Sequence, residues 1–103
     1  MTKDIKNVRR LLMRYEARKI IIYLSNGPRN YTDMLKSLLL EGYTLYNASV
    51  KMIHELKKRG IVEMICGTDK CQLTKEGVSE IVQGLKEEIS ELSEILKKLS
   101  TEV

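Results

Sequence analysis

Apolar positions recur at three- and four-residue spacing through Ile5, Val8, Leu12 and Tyr15, and again through Ile20, Ile21 and Leu24. This period predicts one long amphipathic helix, ended at "SNGPRN" by Gly27 and kept from resuming by Pro28. "YTDMLKSLLLEG" predicts a short second helix, with Thr32 as its cap, Asp33 near its positive end and Gly42 as its stop. "GYTLYNASVKMIHELKKRG" predicts a third. Here Thr44 is the expected cap, Leu45, Ala48, Met52, Ile53 and Leu56 share an inward face, and Gly60 closes the helix. Beyond Gly60 the period shortens. "IVEMIC" and "CQLT", separated by the turn-forming "GTDK", predict a small β-hairpin, after which Thr74 caps a final helix with only Gly84 as a breaker.

In that last helix the apolar residues fall at Val78, Val82, Leu85, Ile89, Leu92, Leu96, Leu99 and Val103, in alternating steps of four and three. Val82, Ile89, Leu96 and Val103 take heptad position a, and Val78, Leu85, Leu92 and Leu99 take d. Mostly β-branched residues at a with leucine at d favour a two-stranded coiled coil. A helix of roughly 40 Å outreaches a small three-helix core, which favours pairing with a second copy over packing on the chain's own core. Ile81 and Ile95, at g, widen the stripe and can pack on the first helix of the same or the partner chain. Ser93 and Ser100 at e provide no salt bridges to fix the direction of pairing.

Two helices joined across a short glycine-containing link, then a hairpin, then a helix, is the order in which a family resemblance enters. "HELKKRGIVEM" followed by "CQLTKEG" resembles the winged helix-turn-helix family: the end of its recognition helix, its two wing strands and the "LT-x-x-G" entry to its last helix. The long last helix, the Lys/Glu/Ile-rich composition and the absence of Trp and Phe are similar to small winged-helix dimers of archaea and their viruses. The expected class is therefore mainly α with a small β-hairpin wing. Residues 1–76 would form a winged helix-turn-helix DNA-binding domain and 77–103 a dimerisation helix. The resemblance also implies antiparallel pairing of that helix.

With 103 residues and 43% hydrophobic content, the chain can bury one core without metal or disulfide support. The net charge of +4 is unevenly spread: residues 1–30 hold eight Lys/Arg against two acids, and residues 75–103 hold four against seven. The amino-terminal half is the side for a polyanion. If the inward set of the third helix is as given, Tyr46, Asn47, Val50, Lys51, His54 and Lys57 face outward. Asn suits adenine, Lys suits guanine or phosphate, and Val50 suits a thymine methyl. Thr44 with Tyr43, and Arg29 and Asn30 with Tyr31 and Thr32, lie at helix starts that favour phosphate, and Lys70 sits at the tip of the hairpin. Arg10, Arg14 and Arg18 would form a basic stripe on the first helix.

These features point to a dimeric regulator, a repressor reading an inverted repeat in double-stranded DNA. An architectural DNA binder, or a winged-helix protein-interaction module without nucleic acid, are the other readings. No glycine-rich phosphate loop, paired carboxylates in an apolar setting or catalytic triad is legible, so no enzyme activity, cofactor or small-molecule effector is expected. No apolar run is long enough for a membrane span, and an intracellular, cytoplasmic location is expected, or a host cell if the chain is viral. Cys66 and Cys71 would lie opposite each other across "GTDK" and leave a cross-hairpin disulfide, two free thiols and an intersubunit bridge open. A metal site is not expected, because His54 is the sole histidine and no second cysteine pair exists.

Overall fold

The computed structural model describes residues 5–101, with side chains from Val8 onward, so the expectations for Val103 and for the side chain of Ile5 lie outside the described residues. Its elements are α1 (Ile5–Leu12), α2 (Tyr15–Ser25), β1 (Arg29–Asn30), α3 (Tyr31–Leu40), α4 (Tyr43–Lys58), β2 (Val62–Met64), β3 (Lys70–Leu73) and α5 (Lys75–Thr101). The fold is mainly helical with a small antiparallel sheet in the order β1-β3-β2.

The expected single first helix is two helices. The chain leaves α1 through tightened contacts, Met13 N–H to the Arg10 carbonyl at 3.2 Å and Arg14 N–H to Leu11 at 3.0 Å, and Arg14 is extended at φ −88°, ψ 129°. No glycine or proline marks this break, because its cause is tertiary. Val8 and Leu12 dock on α5, while Ala17, Ile20 and Leu24 enter the core cluster with α3 and α4, and one straight rod cannot serve both directions. The Arg18 guanidinium donates to the Leu12 carbonyl and so satisfies an acceptor freed at the end of α1. Arg14 pairs with Glu16 at 2.7 Å. The expected basic stripe of Arg10, Arg14 and Arg18 therefore does not exist as a continuous face; two of its three members hold the corner.

Two helix starts also differ from expectation. Asn30, and not Thr32, caps α3, its Oδ1 accepting from the Asp33 N–H at 3.0 Å. Thr44 lies inside α4, whose cap position is Gly42 at φ 141°, a backbone angle that L side chains rarely adopt, with no capping side chain at all. Thr74 does cap α5: its Oγ1 accepts from the Gly77 N–H at 2.9 Å and donates to the Gly60 carbonyl at 2.6 Å, tying the start of α5 to the end of α4.

The sheet has a strand that the sequence did not announce. β1 is two residues long, too short to show any alternation, and pairs Arg29 with Cys71 and Asn30 with Lys70. On the other side of β3, Val62 faces Leu73, Glu63 faces Gln72 and Met64 faces Cys71. Ile65 N–H reaches the Lys70 carbonyl at 2.9 Å and Thr68 N–H reaches the Ile65 carbonyl at 3.1 Å. The turn thus runs over Cys66, Gly67, Thr68 and Asp69, one residue earlier than "GTDK", and Lys70 begins the strand. This register corrects the expected opposition of the cysteines. Cys71 is buried opposite Met64, Cys66 is exposed in the turn, and both thiols are free.

The core is built from Ile20, Leu38, Ile53, Leu56 and Ile61, each under 2% exposed. Burial of one such side chain contributes roughly 1.5–3 kcal/mol. Ile81 of α5 belongs to the same cluster, so the first turns of α5 are part of the body and pack against α1. Two glycines permit the close approach of α5. A Cβ on Gly77 would stand 2.7 Å from the Ile61 carbonyl oxygen and 2.8 Å from its Cα, whereas one on Gly84 would meet the flexible end of Leu12 at 3.2 Å and Arg9 and Val8 at an ordinary 3.6 Å. Gly77→Ala is therefore expected to destabilise the fold by about 1–3 kcal/mol in denaturant unfolding, with Gly84→Ala close to neutral; equal midpoints for the two variants would contradict this packing.

Polar contacts fasten the same junction. Arg9 donates to Glu88 at 2.7 Å and to Glu91 at 2.6 Å, with Glu87 at 3.7 Å. The hydrogen bond from Arg9, then its charge, hold the Glu91 carboxyl below its ordinary value of 4.5. Because the folded value lies below the unfolded one, this stabilisation is present at neutral pH and is lost as pH falls from about 4.5 through the lowered value. Amide protection in α1, relative to the intrinsic exchange rate at each pH, should fall over that window, and Arg9→Met should remove that fall.

Candidate nucleic-acid interface

Helix α4 is pinned along one side. Ser49, Met52, Ile53 and Leu56 are buried against the body, with half-buried Leu45 beside them. Ser49, not Ala48, occupies the central inward position; it is wholly buried and its Oγ has no hydrogen-bond partner. Ala48 is only half-buried. Substituting 49 for 48 in the inward set rotates the free face of the helix. The exposed stripe is Thr44, Asn47, Lys51, His54 and Lys58.

Several expected contact residues move to the flank. Val50 and Tyr46 are half-buried and pack on the core cluster, so Val50 does not stand free for a thymine methyl. Lys57 is half-buried with its Nζ 5.1 Å from the centroid of the Tyr31 ring. Tyr46 stacks obliquely on exposed Tyr43, with centroids 6.1 Å apart. These side chains form the shoulder between α4 and β1. Burial, then Tyr46 and Cys71, push the Tyr31 hydroxyl up, which keeps it protonated and able to donate. Burial likewise pushes the Cys71 thiol up, against the opposing pull of Lys57, and leaves it a neutral core group.

The helix starts are unequal as anion sites. α4 opens with neither a capping side chain nor an acid in its first turn, so its amino-terminal N–H groups are unclaimed by side chains. α3 carries Asp33 in its first turn and is capped by Asn30, and the Tyr31 N–H donates to the Asp69 carbonyl at 2.9 Å. Exposed Thr32 and Arg29 lie at that second end, where the Arg29 guanidinium reaches the Tyr23 carbonyl at 3.4 Å. Lys70 is exposed at the start of β3, beside Asn30 in the register.

Cations are neutralised on some parts of the surface and left free on others; among the described residues Arg10, Arg18, Arg29, Lys36, Lys75, Lys86 and Lys97 lack a carboxylate within 4 Å, as do four lysines of this face. Arg9, Arg14, Lys19 and Arg59 are neutralised by carboxylates within the fold, at 2.6, 2.7, 3.0 and 2.9 Å respectively. Among the described residues, Lys51, Lys57, Lys58 and Lys70 have no carboxylate partner within 4 Å. Lys58 was missed by sequence reasoning, although it stands four residues beyond His54 and seven beyond Lys51. The apolar stripe of α5 is free as well: Val78, Val82 and Leu85 are each 43% exposed, and Ile89, Leu92, Leu96 and Leu99 are 58% or more.

Comparison with known protein families, curated proteins and solved structures finds no match. Among the described residues no group of His, Cys, Asp and Glu is placed to hold a metal ion, and no helix is long and apolar enough to cross a membrane.

Proposed function

We propose that this chain is a winged helix-turn-helix regulator that binds double-stranded DNA as a homodimer. α3 and α4 are the helix-turn-helix, β2 and β3 are the wing, and α5 joins two copies. The observation that carries the reading is the set of unneutralised cations and hydrogen-bonding side chains on the exposed face of α4, on a helix whose opposite side is fixed in the core. A rigid helix with a wet, cationic outer stripe fits a major groove. Asn47 supplies base readout, Lys51, His54 and Lys58 engage the groove floor or flanking phosphates, and the uncapped start of α4 with Thr44 and Tyr43 receives a phosphate. Tyr31, Thr32, Arg29, Lys57 and Lys70 form a second rank along the shoulder, within reach of the neighbouring backbone. The net charge of +4 is low for a protein that coats DNA without discrimination, which favours a specific operator and repression by occlusion.

Selection of bound sequences from a random duplex pool tests this. An inverted repeat is expected, and Asn47→Ala should relax one base position per half-site by about 1–3 kcal/mol while leaving the others unchanged. A pool that shows no enrichment at moderate salt would contradict sequence-specific reading.

A further inference from the structure

The two halves of α5 are unequal. Over its first half the helix packs on α1 and faces α2 across an open groove, and Ile81 at g is turned into the chain's own core at 5% exposure. Next to it a groove of about 390 Å³ stands open, walled by Leu12, Met13, Ile21, Ile22, Leu85 and Ile89. It adjoins a second apolar hollow of about 420 Å³ reaching Leu24, Pro28, Leu73 and Val78. Every residue from Glu91 to Thr101 is exposed, and in this half the g position is Ile95, 53% exposed with no apolar surface of its own chain to cover it. One half has an unfilled apolar groove; the other has an unplaced apolar knob.

We infer that the second copy runs antiparallel along α5 and inserts its Ile95 into the groove between α2 and α5, so that α2 is part of the dimer interface. This rests on the dimer reading given above. In antiparallel pairing a layers meet d layers, and g positions flank g positions. Val82 then meets the partner's Leu99, Leu85 the partner's Leu96 and Ile89 the partner's Leu92. In this register the partner's Ile95 comes level with Glu88, between Leu85 and Ile89, at the mouth of the groove. Glu88 and Arg18 also line the groove, and the Glu88 carboxylate is held by Arg9 at 2.6 Å.

Other arrangements match the surface less well. A parallel pair sets Ile95 beside the partner's Ser100 and Ile81 beside the partner's Lys86, and leaves the groove empty. An antiparallel shift of one heptad one way opposes Lys86 to the partner's Lys86 and Glu88 to the partner's Glu88. A shift the other way sets Ile95 against the partner's Ile95, away from the groove. The register with Lys86 facing the partner's Ser93 alone avoids like charges and fills the hollow.

Two variants, Val82→Cys and Leu99→Cys, each carrying Cys66→Ser so that buried Cys71 is the sole remaining native thiol, test the arrangement. Mixed and oxidised, they should give a covalent dimer containing one chain of each. Alone, neither should cross-link, because the two equivalent positions lie roughly 25 Å apart along the helix pair. Ile22→Glu, at a position 62% exposed in the single chain, should keep its helical circular dichroism and raise the dimer Kd by about tenfold or more in sedimentation. Cross-linking of each variant by itself, or an Ile22→Glu dimer as tight as the parent, overturns this inference and leaves the dimer reading standing. A parent protein that sediments as a monomer at every concentration overturns the dimer reading instead.

Discussion

Ile89→Asp is expected to yield a folded monomer whose affinity for its operator is lower by roughly 10²–10⁴. Ile89 is 61% exposed on the single chain and makes no core contact, so the fold has no reason to fail. In the proposed dimer it occupies the middle of the apolar stripe, where two aspartates would be desolvated without partners, a cost of several kcal/mol. Once the copies separate, each half-site is bound singly and the gain from linked binding disappears. Sedimentation, circular dichroism and operator titration of the variant read these three effects apart. Loss of helical signal would show that α5 is needed for folding, and unchanged operator affinity would show that binding is monomeric.

The boundaries of the helices were legible where a backbone angle demands glycine. Gly42 at φ 141° and Gly60 at φ 74° stand where the sequence put breaks, and Thr74 caps α5 as its position implied. The corner at Met13 and Arg14 was not legible, because it is set by where α1 and α2 dock and by no residue with a turn preference. β1 was not legible either; two residues cannot alternate, and their partner strand lies about forty positions away. The α4 face was read nearly correctly but rotated. Apolar counting preferred Ala48 to Ser49 for the core, and that choice turned Val50, Tyr46 and Lys57 outward and hid Lys58. A buried serine hydroxyl without a partner has no signature in hydropathy. The apolar stripe of α5 is legible as a spacing of residues and stands exposed on the single chain, while the groove beside it, lined by Ile21 and Ile22, depends on tertiary contacts.

A second large loss of binding is expected from charge reversal on α4. Lys51→Glu with Lys58→Glu replaces two unneutralised cations by anions on the exposed stripe, so two favourable phosphate interactions become two repulsions. The affinity for any duplex should fall by about 10³ or more at low salt, with stability nearly unchanged because both positions are exposed. The same reversal at Lys19, already paired with Glu41 at 3.0 Å, should disturb the corner near α3 and leave DNA affinity within about threefold.

The most direct measurement is the salt dependence of duplex binding by the parent and by Lys51→Ala/Lys58→Ala, followed by fluorescence anisotropy between about 50 and 200 mM salt. Affinity should fall linearly on logarithmic axes for the parent, and the slope should shrink by about two in the double variant. Binding that is insensitive to salt, or a slope that the double variant leaves unchanged, would contradict a DNA interface on α4.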